Sequence, residues 1–302
     1  MSAASSFTSA RQAAREAAGA QDFPKGALYM VATPIGNLAD ISLRTLHLLE
    51  IADRVACEDT RHTQALLRAY GLERAGDRLL ALHQHNEAQA AQQVVAWLNA
   101  GERVAYASDA GTPAVSDPGA RLAAAVREAG LRVVPMPGAS SVTTLLSAAG
   151  CAGEGAFVFA GFLPSKAGER DAAVAALAQE PRPVVLLEAP HRIEALASSL
   201  AVLGDRLVTV GRELTKQFEE IATVPCARLG DWLAANPQRT RGEFALALHG
   251  APAAPKTGEG ERVLALLLPE LPVKTAVKLA AEISGEPRNA LYDAALRMKK
   301  ET

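Results

Sequence analysis

Short, mostly apolar runs of four or five residues recur along the first half of the chain, at 28–32, 54–57, 79–82, 103–107 and 132–136. They are too brief for helices and are bounded by polar or Gly/Pro turns, so they predict buried strands. Between them, apolar residues fall three or four apart. Leu43, Leu46 and Leu49 follow a capping Ser42, and Val94, Val95 and Leu98 precede Gly101; both patterns predict helices. Strand, loop and helix repeated five times predict a parallel sheet covered by helices. In such a sheet the loops that leave the strands gather on one edge, where open α/β sheets take ligands.

The pattern breaks at Cys151-Ala152-Gly153-Glu154-Gly155. This separates a first domain, 27–150, from a second α/β domain, 151–250. In the second, strands are expected at 157–162, 184–187, 207–210 and 243–248, with an extended piece at 220–224. Residues 251–261 are rich in Pro, Ala and Gly and read as a linker. Beyond it, Val273, Ala276, Val277, Ala280 and Ile283 form one helical stripe; Leu291, Ala294, Ala295 and Met298 form another. Two helices around Ser284-Gly285-Glu286-Pro287 predict, over 262–302, either a helix-turn-helix or a plain helical hairpin. Residues 1–26 read as a flexible leader.

Composition narrows the picture. A chain of 302 residues has room for two cored domains, and with aromatics at 4% those cores are aliphatic. The net charge of −2 means that any nucleic-acid contact must use a local basic patch. Cys57, Cys151 and Cys226 show no paired spacing, which argues against a disulfide framework or zinc site and for a reducing compartment, the cytoplasm. No apolar run approaches the ~20 residues of a membrane span. His83 and His85 share a strand face, but no third ligand accompanies them, and no metal is expected.

The richest chemistry lies in the fourth loop, Ser108-Asp109-Ala110-Gly111-Thr112-Pro113-Ala114-Val115-Ser116-Asp117-Pro118-Gly119. Small residues let a ligand approach the backbone, and prolines fix its path. Asp117, just before Pro118 and a helix, reads as a cap, leaving Asp109 as a ligand contact. The first loop, Thr33-Pro34-Ile35-Gly36-Asn37, has a single glycine. It is neither a dinucleotide fingerprint nor a P-loop, which disfavours NAD and ATP.

Further motifs follow in order: Cys57-Glu58-Asp59-Thr60-Arg61, His85-Asn86-Glu87, Pro137-Gly138-Ala139-Ser140, Gly161-Phe162-Leu163-Pro164, Glu188-Ala189-Pro190-His191-Arg192 and Arg212-Glu213-Leu214-Thr215-Lys216. With them the chain resembles the tetrapyrrole methylase superfamily, in its branch of bacterial 16S rRNA cytidine-2′-O-methyltransferases. The resemblance implies an α/β chain of two αβα domains of the tetrapyrrole methylase type plus a small helical C-terminal module. It implies S-adenosyl-L-methionine in the interdomain cleft, 16S rRNA of the small ribosomal subunit as partner, and a homodimer. Carried over by motif, the cofactor would touch Pro34, Ser108, Asp109, Ala110, Val115, Ser140, Ser141, Leu187, Glu188, Ala245 and Leu246. Strand-end placement assigns Glu58, Asp59, Arg61, His85, Asn86, Glu87 and Arg212 to the substrate. Glu213 and Lys216 would be base and electrostatic helper. Two alternatives stay open: a tetrapyrrole or other small-molecule methyltransferase, and a nucleic-acid-binding regulator acting through the C-terminal helices.

Overall fold

The computed structural model describes residues 7–83, 86–151, 155–251 and 259–301. Five strands form the first sheet: β1 (Ala27–Val31), β2 (Arg54–Cys57), β3 (Leu79–Ala81), β4 (Val104–Ala107) and β5 (Arg132–Met136). Their order is β3-β2-β4-β1-β5, all parallel. Every residue of β1 and β4 is buried, which explains their continuous rather than alternating hydrophobicity. Helices α2 (Leu43–Ile51), α3 (Thr60–Ala69), α4 (Glu87–Asn99), α5 (Gly119–Glu128) and α6 (Ser141–Ala149) connect or follow the strands. Tyr29, Leu46, Leu49 and Tyr70 fill one side of the sheet; Leu28, Val94, Leu98 and Tyr106 fill the other.

The leader is not a loose tail where it is described. Helix α1 (Thr8–Ala18) packs on α2, with Ala14 and Ala18 buried. Arg11 and Arg15 both reach Glu50, and Phe7 meets the Tyr70 ring edge-on at 4.9 Å. The face it buries is made of alanines in an otherwise polar and charged stretch, so the segment shows no large apolar side chains that would mark it as packed.

The second sheet comprises β6 (Val158–Gly161), β7 (Val184–Glu188), β8 (Leu207–Arg212), β9 (Glu220–Pro225) and β10 (Phe244–Leu248), in the order β6-β7-β10-β8-β9. Only β6 and β7 run parallel; β10 opposes both its neighbours. The start of β10 therefore lies beside the ends of β7 and β8, with Phe244 paired to Glu188 and Arg212. Helices α7 (Ala167–Leu177), α8 (Ile193–Leu200) and α9 (Leu229–Ala234) close one face around Leu186, Leu196 and Leu246. On the other face Ala245 and Ala247 pack with Leu214 and with Leu145 and Ala149 of α6. A helix of the first domain thus supplies a layer to the second.

The C-terminal module has three described helices, not two: α10 (Glu259–Leu267), α11 (Val273–Ser284) and α12 (Arg288–Glu301). They share a core of Leu264, Ala276, Ala280, Leu291 and Ala295. Helix α10 begins within the stretch expected to be linker.

Candidate functional site

The two sheets present strand ends to a common cleft, and the fourth loop of the first domain forms its floor. That loop is pinned to the first loop by a two-way backbone pair, Thr33 N–H to Gly111 O and Gly111 N–H to Thr33 O, each 3.0 Å. The buried Thr33 hydroxyl donates to Ser108 O at 3.2 Å, and the Ser108 hydroxyl donates to Gly111 O at 3.2 Å. Asp117 accepts from Tyr106 Oη–H (3.0 Å), Ala114 N–H (2.7 Å) and Gly119 N–H (2.8 Å). It binds an amide of α5, as a cap would, and also closes the loop. Gly111 has φ +82°, and a Cβ there would lie 3.2 Å from Ile35 Cγ2. The left-handed backbone and the close first loop both call for glycine.

Above this floor lies a cavity of about 360 Å³ walled by both domains: Ile35, Ala110 and Ser141 from the first, Leu187, Leu214 and Ala245 from the second. It continues under the loop into a smaller space lined by Glu58, Ser108, Val115 and Ser140. Glu188 is 3% exposed and borders the larger space. Its Oε1 accepts from Ala189 N–H at 2.9 Å and meets Arg192 Nε at 3.2 Å. Its Oε2 is buried without a hydrogen-bond partner. A buried carboxylate oxygen left unpaired is costly, so this atom calls for a donor from a ligand.

Other expected residues fall elsewhere. Leu246 is fully buried in the core with Leu186 and Val210, on the face of β10 away from the cavity. Pro34 and Asp109 line an adjoining hollow with His62 and Lys216, which shares Ile35, Ala110 and Glu243 with the larger cavity. Asp109 Oδ1 accepts Asp59 N–H at 3.3 Å, so Asp109 braces the loop against β2. Asp59 caps α3 and pairs with the exposed Arg61 at 2.8 Å; hydrogen bonds from Arg61 hold its carboxyl at about 2. Glu87 pairs with Arg121. Asn86 Oδ1 accepts from His83 N–H (2.9 Å) while its Nδ2 donates to Ala81 O (2.8 Å), shaping the third loop. Arg212, expected to hold phosphate, is 7% exposed; Nε donates to Arg241 O (2.7 Å) and Nη1 to Phe218 O (3.1 Å). It clamps the chain. His85 lies outside the described residues.

Glu213 and Lys216 do come together. Lys216 Nζ donates to Glu213 Oε1 (2.8 Å) and Glu243 Oε2 (3.0 Å), and Glu213 Oε1 also accepts Glu243 N–H (3.0 Å). Burial pulls the Glu213 carboxyl upward, but the Lys216 and Glu243 hydrogen bonds outweigh it and leave it below its ordinary value. Burial likewise opposes the Lys216 charge, and its two carboxylate partners more than restore it. With two carboxylates on one ammonium, the cluster offers neither a free base nor a net positive charge. The pair sits where the domains touch: a Cβ on Gly36 would overlap Lys216 Cγ and lie 3.1 Å from Leu214 O.

Residues 27–230 match the family described as Tetrapyrrole (Corrin/Porphyrin) Methylases. The chain belongs to the tetrapyrrole methylase family. Residues 254–299 of this methylase match the RsmI C-terminal HTH domain. The methylase is 45% identical over 282 residues to Ribosomal RNA small subunit methyltransferase I of Escherichia coli O157:H7, a match covering 92% of this chain and 97% of that protein. Its fold is shared by uroporphyrin-III-C-methyltransferase from Thermus thermophilus (TM-score 0.54, 20% identity, 74% of this chain and 94% of that one). It is shared also by the Thermus thermophilus uroporphyrin-III C-methyltransferase complexed with S-adenyl homocysteine (TM-score 0.50, 16% identity, 73% and 96%).

Several cavity residues of the methylase lie outside the sequence-based set: Ile35, Phe162, Gly211, Leu214 and Glu243. Ile35, Phe162 and Leu214 sit inside motifs already singled out, where an apolar side chain beside polar neighbours reads as core. Glu243 reaches the cleft because β10 runs backwards, a direction that an apolar run does not encode.

Proposed function

We propose that this protein is an S-adenosyl-L-methionine-dependent methyltransferase acting on the ribose 2′-oxygen of a cytidine in 16S rRNA, in the decoding region of the small ribosomal subunit. The observation that carries this reading is the likeness to an RNA methyltransferase along nearly the whole chain, C-terminal helices included. The tetrapyrrole enzymes share only the fold of the body.

The residues present suit the cofactor. The apolar walls of Ile35, Leu187, Leu214 and Ala245 fit a thioether-like chain and a purine, and the unpaired Glu188 Oε2 awaits a donor such as an ammonium or amino group. When bound, S-adenosylmethionine supplies an activated methyl group whose leaving group departs neutral. The protein's own work is then alignment, by a pinned floor and two walls. Association as a homodimer and residence in the cytoplasm belong to the same reading; sedimentation of the pure protein tests the former.

The deciding experiment incubates the protein and methyl-labelled cofactor with small ribosomal subunits, naked 16S rRNA or a tetrapyrrole precursor. Label is expected in rRNA, on a ribose resistant to alkaline cleavage. Label in the tetrapyrrole alone overturns the proposal.

A further inference from the structure

Glu58 ends the β2 strand and belongs to two spaces at once. It lines the inner cavity with Ser108, Ala110 and Leu187, and the outer depression with His83, Glu87 and Arg121. The rim between them is Val115-Ser116-Asp117 of the fourth loop, which lines both. One carboxylate oxygen is fixed: Oε1 accepts Asp109 N–H at 3.0 Å. Asp109 in turn accepts Asp59 N–H, so the carboxylate is clamped through the backbone on both sides. Among the described residues, Oε2 has no hydrogen-bond partner and is not among the sealed unpaired atoms, so it is accessible from the spaces that Glu58 lines.

The other acids around the cleft are occupied. Asp59 has Arg61, Glu87 has Arg121, and Glu213 has Lys216. Asp117 holds three donors, Asp109 accepts Asp59 N–H, and Glu188 faces Arg192 with its remaining oxygen sealed in the wall that needs a donor. We infer that Glu58 is the catalytic proton acceptor, its Oε2 taking the proton of the hydroxyl that is methylated. This rests on the methyltransferase reading above. The hydroxyl oxygen bonds to the methyl carbon of the sulfonium donor, and the carbon–sulfur bond breaks with its electron pair returning to sulfur. The hydroxyl proton passes to Glu58 and then to water in the outer depression.

The surroundings suit that task. Burial raises the Glu58 carboxyl above its ordinary value; the Asp109 amide opposes this, the Asp109 and Asp117 charges add to it, and His62 of α3 opposes it. Cys57 and Tyr106 lie beside it, both also pushed up by burial. His83, Glu87 and Arg121 face it across the depression. A carboxylate with raised proton affinity is a better base near neutral pH.

Glu58→Gln keeps an oxygen for the Asp109 amide but cannot take a proton. Its single-turnover rate on small ribosomal subunits should fall by about 10²–10⁴-fold, with affinity for S-adenosylhomocysteine by calorimetry unchanged. The wild-type rate should rise tenfold per pH unit on the acid side and then level; the variant should lack that limb. A variant rate close to wild type, or an unchanged acid limb, overturns the inference. Should the variant not fold, the wild-type profile decides alone: a rate with no acid limb down to about pH 4, or one whose acid limb is centred at a histidine value, overturns the inference. Absence of wild-type transfer to rRNA would instead refute the methyltransferase reading, whereas equal transfer by both proteins refutes only the role of Glu58.

Discussion

At the scale of single residues, the site depends on a loop whose polar groups are almost all used internally. Thr33, Ser108 and Asp117 direct their oxygens at backbone partners, so the floor of the cavity is rigid before any ligand arrives. Gly111 is its most exacting position. Gly111→Ala would force a side chain into the left-handed region and against Ile35, with an expected loss of about 1–2 kcal/mol. Thermal unfolding should show the loss, and calorimetry should show weaker binding of S-adenosylhomocysteine. Residue identity was partly legible beforehand. Pro118 after Asp117 signals an aspartate facing an amide of α5, and the structure has that bond. The path of Asp109 was not legible: a loop aspartate can face either side of its own backbone, and here it turns to Asp59 N–H. The direction of the Leu246 side chain, into the core, was not legible for a related reason. Alternation along a strand separates two faces without saying which one meets the other domain.

At the scale of elements, the five βα units of the first domain are written in the sequence, because period 2 and period 3.6 alternate and turn residues separate them. The second sheet is less legible, since direction is invisible in a short apolar run. Helix α1 is the other gap, and its anchoring is electrostatic as much as apolar. Hydrogen bonds from Arg15, opposed by burial and aided by Arg11, hold the Glu50 carboxyl at about 2, below an ordinary 4.5. A depressed carboxylate stabilises the fold above its unfolded value, and that contribution is lost as pH falls through the folded one. Protection of amides 8–18 from hydrogen exchange, corrected for intrinsic rate, should therefore weaken between pH 4.5 and 2. Glu50→Gln should show the same weakening at neutral pH, and equal protection in both proteins would argue that the alanine face alone holds the helix.

At the scale of the whole molecule, body and tail are built as separate cores. The C-terminal helices bury Leu264, Ala276 and Leu291 among themselves, so the chain divides between a site-bearing body and an appended module. Lys274 and Lys278 lie exposed on α11, and Arg288 and Arg297 at the surface of α12 pair with Glu282 and Glu261. Ending the chain at Ala251 should leave the affinity for S-adenosylhomocysteine unchanged and weaken binding to small ribosomal subunits, read as a raised KM with the single-turnover rate at saturation preserved. A parallel loss of cofactor affinity would show instead that the module supports the cleft.

The body itself is joined through α6 on one side and through Gly36 on the other. At Gly36 one hydrogen atom stands where every other amino acid would place carbon, and the second domain leans into that gap. The width of the cleft is therefore gauged by a missing side chain. Any residue larger than glycine would act there as a shim, spreading the two walls from their shared edge while leaving each wall intact.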